Sequence, residues 1–307
     1  RPAGAAAQAV AAFGGELRRA VELFSQLEWL NVSALLRDAL QEDLGQGDLT
    51  TAATVTPGQR GRARIVVKES TRIVFCGGVL LAEVFRLAGA YPEIAACAYE
   101  GNVLERGDDA AVIEGRLAGL LIGERTALNL VQLMSGIATL TGRYVDAVAG
   151  TGARIIDTRK THPGLRMIEK YAVRAGGGFN HRFGLDSGVL IKENHIAAAG
   201  SIGRALERAR KLVPHTMRVE IECETLAQVE EALAAGADSI LLDNMTLDDM
   251  RRARSLAPAG RVLLEVSGGV TLEGVRAIAE TGVDLISVGA LTHSAPAVDL
   301  SMRIDPM

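Results

Sequence analysis

The sequence predicts an α/β protein, in which a parallel sheet of about six strand–loop–helix units is joined to a smaller, discontinuous α+β domain. Three observations predict this. After Gly152, short apolar runs recur between helical stretches: Ala153–Ile156, Val189–Ile191, Met217–Ile221, Ser239–Leu242, Val262–Val266 and Leu285–Val288. The unusual polar residues fall at the carboxyl ends of those runs, the side on which parallel α/β architectures bind their ligands. The final stretch, in which Val298, Leu300, Met302 and Ile304 alternate with Asp299, Ser301 and Arg303, has the period of a half-buried strand and no helix after it.

In chain order, residues 1 to about 30 read as weakly specified helix and a mobile beginning. Asn31–Leu44 is a short amphipathic helix, apolar at Val32, Leu35, Leu36, Ala39 and Leu40 and closed by Gly45. Glu42–Thr51, EDLGQGDLTT, is turn chemistry. Arg62–Val67 and Ile73–Phe75 read as strands and Val79–Ala88 as a helix, while Asn102–Val112 carries the turn signal Arg106-Gly107-Asp108. Leu120–Ala149 is helical and mostly apolar, with an expected break near Ser135-Gly136. Within it Arg125, Asn129 and Gln132 share one face, either a solvated surface or a wall of a binding site. Helices such as Leu226–Ala235 and Leu272–Glu280 then alternate with the six strands, close to a barrel without reaching eight. Right-handed crossovers put all the strand ends on one side. The last strand returns to the first sheet, so the expected domains are 1–149 with 296–307, and 150–295.

The totals narrow the function. A chain of 307 residues with 48% apolar and 23% charged residues is globular, and a net charge of −4 makes nucleic acid a poor partner. Any cationic cluster is therefore local and suited to a small anion. Cys76, Cys97 and Cys223 form no CxxC pair, which points to a reducing compartment rather than a disulfide frame or structural zinc. No apolar run is long enough to span a bilayer, and the Ala-rich start lacks the core of a signal peptide. The expected location is the cytoplasm, with no membrane partner, and a chain that starts at Arg1 is expected to have been trimmed.

The stretch Arg154–His195 organises the chemistry. Its two apolar runs end in Asp157-Thr158-Arg159-Lys160 and Lys192-Glu193-Asn194, with His181-Arg182 between them. Arg159, Lys160, His181, Arg182 and Lys192 suit a strongly anionic ligand, because guanidinium presents a planar fork to carboxylate or phosphate. Glu222 and Asp243 end neighbouring strands and are hard oxygen donors of the kind that hold Mg²⁺; they also fit salt bridges with Lys192 and Arg159. Ser267-Gly268-Gly269 and Gly289-Ala290 expose backbone N–H groups that can cradle a phosphate, or form ordinary turns. His162, His195 and His215 lack metal-ligand spacing, and Tyr171 and Phe179 read as core.

DTRKTHPGLRMIEKYAVRAGGGFNHR followed by GVLIKENHI resembles the quinolinate phosphoribosyltransferases, also called nicotinate-nucleotide pyrophosphorylases (carboxylating). ERTALNLVQLMSGIAT, VEIECET, ILLDNM, LEVSGGV and ISVGALTHS match further motifs in the same order, over about residues 32 to 304. The resemblance implies an incomplete α/β barrel and an open sandwich that includes the C-terminal strand. It implies conversion of quinolinate and 5-phosphoribosyl 1-pyrophosphate to nicotinate mononucleotide, pyrophosphate and CO₂, with Mg²⁺. It also implies that Arg159, Lys160, His181, Arg182 and Lys192 hold the diacid and the diphosphate, and that Glu222 and Asp243 hold the ribose hydroxyls and the metal. Lys160, Glu222 and Asp243 are the catalytic expectations. The backbone around Ser267, Gly268, Gly269, Gly289 and Ala290 would take the 5′-phosphate, and Arg125 would reach a partner's site in a homodimer. Ala175, Val266 and Ser187 stand where the family more often has cysteine, alanine and aspartate. A same-fold paralogue linked to molybdenum transport, using another acceptor, and a non-catalytic phosphate-binding barrel are the alternatives.

Overall fold

The computed structural model describes residues 26–257 and 260–307, which fall into two compact units. The first comprises the described part of residues 1–140 with His162–Gly176 and Ala295–Met307; the second comprises Thr141–Thr161 and Gly177–Ser294. Residues 162–176, assigned by sequence to the barrel segment, thus group with the first unit. The helix expected over residues 1–25 lies outside the described residues.

In the first unit, β1 (Arg60–Val67), β3 (Glu93–Cys97), β5 (Asp109–Arg116) and β12 (Leu300–Pro306) form an antiparallel sheet in the order β12-β1-β5-β3. β2 (Ile73–Val74) and β4 (Val103–Leu104) pair separately. Along β1, Ala63, Ile65 and Val67 are fully buried, the period-two pattern of a sheet with one face in the core. β12 pairs with β1 in the register Ala63↔Ile304 and Ile65↔Met302, so the last strand does return to the first sheet.

α1 (Gln26–Leu44) buries Val32, Leu36 and Leu40, and α3 (Gly78–Leu87) buries Leu80, Leu81, Val84 and Phe85. Part of the expected turn at Glu42–Thr51 is instead helical. α2 (Leu49–Thr54) starts there, with the Asp48 carboxylate accepting from the Thr51 N–H at 3.0 Å, so this acid is a helix cap.

The expected break in the long helix is absent, and α4 (Leu117–Ala147) runs for 31 residues. Its small residues serve close approach. A Cβ at Gly136 would collide with the Pro296 carbonyl, and Ser135 Oγ both donates to Cys76 O (3.0 Å) and accepts from Cys76 N (2.9 Å). α5 (Arg166–Ala175) completes this unit.

The second unit is a six-stranded parallel sheet. Its strands are β6 (Arg154–Ile156), β7 (Val189–Ile191), β8 (Val219–Cys223), β9 (Ser239–Asp243), β10 (Leu263–Ser267) and β11 (Leu285–Ser287), in the order β6-β11-β10-β9-β8-β7. β6 and β7 are the edges and do not pair with each other, which leaves the barrel incomplete. Connecting helices are α6 (Glu193–Ala199), α7 (Ile202–Leu212), α8 (Leu226–Ala234), α9 (Leu247–Leu256), α10 (Val275–Ala279) and α11 (Ala290–His293). Thr225 and Thr246 accept from the Gln228 and Asp249 N–H groups and so start α8 and α9 right after the strand ends that carry Glu222 and Asp243. Ile155, Ile221, Ile240, Leu264, Val266 and Ile286 form the sheet's core, yet Glu220, Ser239, Glu265 and Ser287 are buried with them. No described helix is long and apolar enough to cross a membrane.

Candidate active site

The carboxyl ends of the parallel strands surround a pocket of about 600 Å³. The segment after β6 brings Thr158, Arg159 and Lys160 to it, the loop after Phe179 brings His181 and Arg182, and β7 ends in Lys192. β8 and β9 contribute Glu222 and Asp243, followed by Asn244, and β10 contributes Glu265 and then Ser267-Gly268-Gly269.

Each side chain is held by its neighbours. The Lys160 backbone N–H donates to Thr158 Oγ1 (3.0 Å), and its carbonyl accepts from Thr292 Oγ1 (2.8 Å). Gly289 packs against the same lysine: a Cβ there would lie 3.1 Å from Lys160 Cδ. Arg182 Nη1 donates to Gly188 O at 2.8 Å. Burial, reinforced by the Arg159 charge, pulls the Arg182 guanidinium below its usual range. Its Nε is buried without a hydrogen-bond partner. Lys192 Nζ meets Glu222 Oε2 at 2.6 Å, so the salt bridge weighed from sequence is formed. Asp243 accepts from Asn244 Nδ2 at 2.9 Å.

The β9 and β10 ends interlock. Asn244 adopts φ +52 and its N–H donates to Ser267 O at 3.1 Å. Gly268 has φ +95, and a Cβ there would collide with the Asn244 amide. Glycine at 268 therefore meets both a backbone and a space requirement.

His181 is clamped at three atoms. Its backbone N–H donates to Asp157 Oδ1 (2.9 Å), Nδ1 accepts from the Arg182 N–H (2.7 Å), and Nε2 faces Glu220 Oε2 (3.1 Å). Glu265 Oε2 lies 3.8 Å from the same Nε2. Burial, with the Glu220 charge beside it, raises the Glu265 carboxyl well above the ordinary carboxylate range.

Arg159, Lys160, His181, Arg182, Lys192, Glu222, Asp243, Ser267, Gly268 and Gly269, all singled out by sequence, line this one pocket. Gly289 backs it through Lys160, and Ala290 opens α11. Arg125 is exposed on α4, in the other unit. Thr158, Asn244, Glu265 and Ser287 also line the pocket, and Asp157 and Glu220 hold His181; the sequence assigned none of these six a role. Glu220 and Glu265 did leave a signal, an acid set among the apolar residues of VEIEC and LLEVS, where an unpaired charge is costly. Tyr171 is core as expected, but Phe179 is 47% exposed and the Arg154 guanidinium stacks on it at 4.8 Å. His162 Nδ1 pairs with buried Glu169 at 2.5 Å, and His195 Nδ1 accepts from the Lys192 N–H at 3.0 Å.

The quinolinate phosphoribosyl transferase C-terminal domain matches residues 137–303, and the N-terminal domain of the same family matches residues 48–135. A probable nicotinate-nucleotide pyrophosphorylase (carboxylating) of Bacillus subtilis is 46% identical over 275 residues, spanning 90% of this chain and 94% of that protein. The Mycobacterium leprae nicotinate-nucleotide pyrophosphorylase (carboxylating) is 44% identical over 287 residues, spanning 92% of this chain and 100% of that one. Among solved structures, the nicotinate-nucleotide pyrophosphorylase of Francisella tularensis superposes with a TM-score of 0.83 at 38% identity, spanning 90% of this chain and 96% of that chain. With both domains of one family matched in order along the chain, this chain belongs to the quinolinate phosphoribosyl transferase family.

Proposed function

We propose that this chain transfers the phosphoribosyl group of 5-phosphoribosyl 1-pyrophosphate to quinolinate with loss of CO₂, giving nicotinate mononucleotide and pyrophosphate in de novo NAD biosynthesis. The observation that carries this reading is the single pocket in which Arg159, Lys160, Arg182 and Lys192 face Glu222, Asp243 and the Gly268-Gly269 turn. The cations suit the two carboxylates of quinolinate and the diphosphate. The turn's exposed backbone suits the 5′-phosphate. Both nitrogens of His181 are already engaged by the protein, so its part is to shape the pocket wall.

Glu222 and Asp243 fit Mg²⁺: both are oxygen donors facing the pocket from adjacent strands, and they leave room for water and phosphate oxygens. Bound there, Mg²⁺ would offset the charge of the departing pyrophosphate. Lys160 and the arginines orient the anions, and Glu222 and Asp243 place negative charge beside the ribosyl carbon as it becomes cationic. Once the pyridine nitrogen is ribosylated, its positive charge stabilises the carbanion that decarboxylation leaves at C2.

Arg125, exposed on α4, is assigned to the site of a second copy, so the working unit is a homodimer with shared sites. Cys76, Cys97 and Cys223 are thiols outside any disulfide, which suits the reducing cytoplasm. The test is pyrophosphate release from the sugar diphosphate and Mg²⁺ with either quinolinate or nicotinic acid as acceptor. Quinolinate should drive release and nicotinic acid should scarcely do so; equal release overturns the reading.

A further inference from the structure

A second cavity, of about 310 Å³, lies at the opposite ends of the strands, lined by Arg154 at the start of β6, Val189 at the start of β7 and Ser239 at the start of β9. It and the strand-end pocket share His181, Arg182 and Glu265 in their linings. These residues therefore form a floor between two openings of the barrel. Within that floor, His181, Glu220 and Glu265 bring their ligand atoms within 4.8 Å of one another, and Glu265 is 1% exposed.

Hydrogen bonding limits what this cluster can be. Nδ1 of His181 accepts from the Arg182 N–H, so the ring hydrogen sits on Nε2, which is thereby a donor and not a metal ligand. That hydrogen is committed to Glu220 Oε2, and Glu220 Oε1 accepts from Ser239 Oγ at 2.9 Å. Glu265 is different. Its Oε1 is buried with no hydrogen-bond partner, on a residue that lines the substrate pocket and the second cavity alike.

The proposed decarboxylation needs one proton whose donor is not yet named. When CO₂ departs, the C2–carboxylate bond breaks and its electron pair stays on C2, which must take up a proton. We propose that Glu265 is the general acid that delivers this proton to C2 and that it is reloaded from water in the cavity at the N-terminal ends of the strands. The carboxylic O–H bond breaks as the C2–H bond forms, Glu265 is left as carboxylate, and a solvent proton restores it without passing through the occupied substrate pocket. Burial favours the acid form that this step consumes, and the charged groups around the floor and the second cavity include Glu220, Asp157, Arg182, Arg154 and Arg218. His181 is excluded as the donor because its one ring hydrogen is held by Glu220.

The inference rests on the proposed decarboxylating transfer, and the test separates the two. Product formed by the wild-type protein in mixed light and heavy water is analysed by mass spectrometry for hydrogen against deuterium at C2, alongside kcat and KM for quinolinate. Glu265→Gln keeps shape but lacks the acid, and should lower kcat roughly a hundredfold, leave KM for quinolinate within about twofold and shift the C2 isotope ratio. Glu265→Asp, which retains the acid, should keep the wild-type ratio at reduced kcat. An unchanged ratio and kcat in Glu265→Gln overturns the assignment of Glu265 while leaving the transferase reading in place. Loss of folding in Glu265→Gln transfers the decision to Glu265→Asp, in which a shifted ratio overturns the proposal. A ratio that moves with Lys160→Arg but not with the Glu265 variants also overturns it. Absence of product from the wild-type protein overturns the transferase reading itself.

Discussion

Glu222 and Asp243 end neighbouring strands and face the same pocket, one bridged to Lys192 at 2.6 Å and the other bonded to Asn244. Replacing either by its amide keeps the shape and removes the charge. Glu222→Gln and Asp243→Asn should therefore cut kcat by an amount equivalent to about 2–4 kcal/mol while quinolinate still binds. Steady-state rates across Mg²⁺ concentrations, with binding followed by calorimetry, check this, and near-normal turnover would remove the assigned role. The acceptor follows from the cations. With one carboxylate missing, nicotinic acid leaves positive charge in the pocket unmatched, and its kcat/KM should be lower by an amount equivalent to about 1.5–3 kcal/mol.

Glu265 carries a stability signature of its own. Its carboxyl is raised above the ordinary value near 4.5, so its contribution is fully present below the unfolded-state pKa and is lost as pH rises through the raised one. Denaturant midpoints measured from pH 4.5 upward should therefore fall with pH less steeply in Glu265→Gln than in the wild type.

Among the elements, α4 shows how a small residue can be misread. Ser135-Gly136 has the composition of a break, but in the structure it is the place where helix backbone meets the Pro296 carbonyl and Cys76. Gly136→Ala should destabilise the protein by about 1–3 kcal/mol through overpacking, since the opposing atom is backbone and cannot rotate away. Thermal unfolding checks this, and an unchanged Tm would mean that the chain near Pro296 yields.

The strands of the second unit were legible because each is a short apolar run that stops at charge, as ILLDNM and LEVSGG do. β3, EIAAC, was not, since its alanines give no period and its pairing with β5 is fixed from elsewhere in the chain. α2 was hidden because Asp48 reads equally as a turn residue or a cap, and only the bond to Thr51 decides.

At the scale of the whole molecule, the proposed site was legible mainly where a charged residue follows an apolar run, and illegible where an acid lies inside one. Arg159, Lys160, Lys192, Glu222 and Asp243 follow apolar runs. Glu220 and Glu265 are embedded in them, and only packing shows that they face an occupied interior rather than solvent. Arg125 belongs to this scale too, since its assigned role needs a second copy. Arg125→Ala and Lys160→Ala should each be nearly inactive, and subunit exchange between them should restore roughly a quarter of wild-type activity, because half the dimers are mixed and each mixed dimer has one intact site. Mass spectrometry verifies the exchange, and activity that stays at the level of the separate variants would place Arg125 outside the shared site.

In the proposed reaction, one pocket performs both the transfer and the loss of carboxylate. The most direct measurement follows quinolinate labelled in its 2-carboxylate, incubated with the protein, 5-phosphoribosyl 1-pyrophosphate and Mg²⁺, with CO₂ and pyrophosphate counted together. Labelled CO₂ and pyrophosphate should appear in equal amounts, each dependent on both substrates, with nicotinate mononucleotide as the third product. Pyrophosphate released without CO₂, or neither product formed, would contradict the proposed reaction.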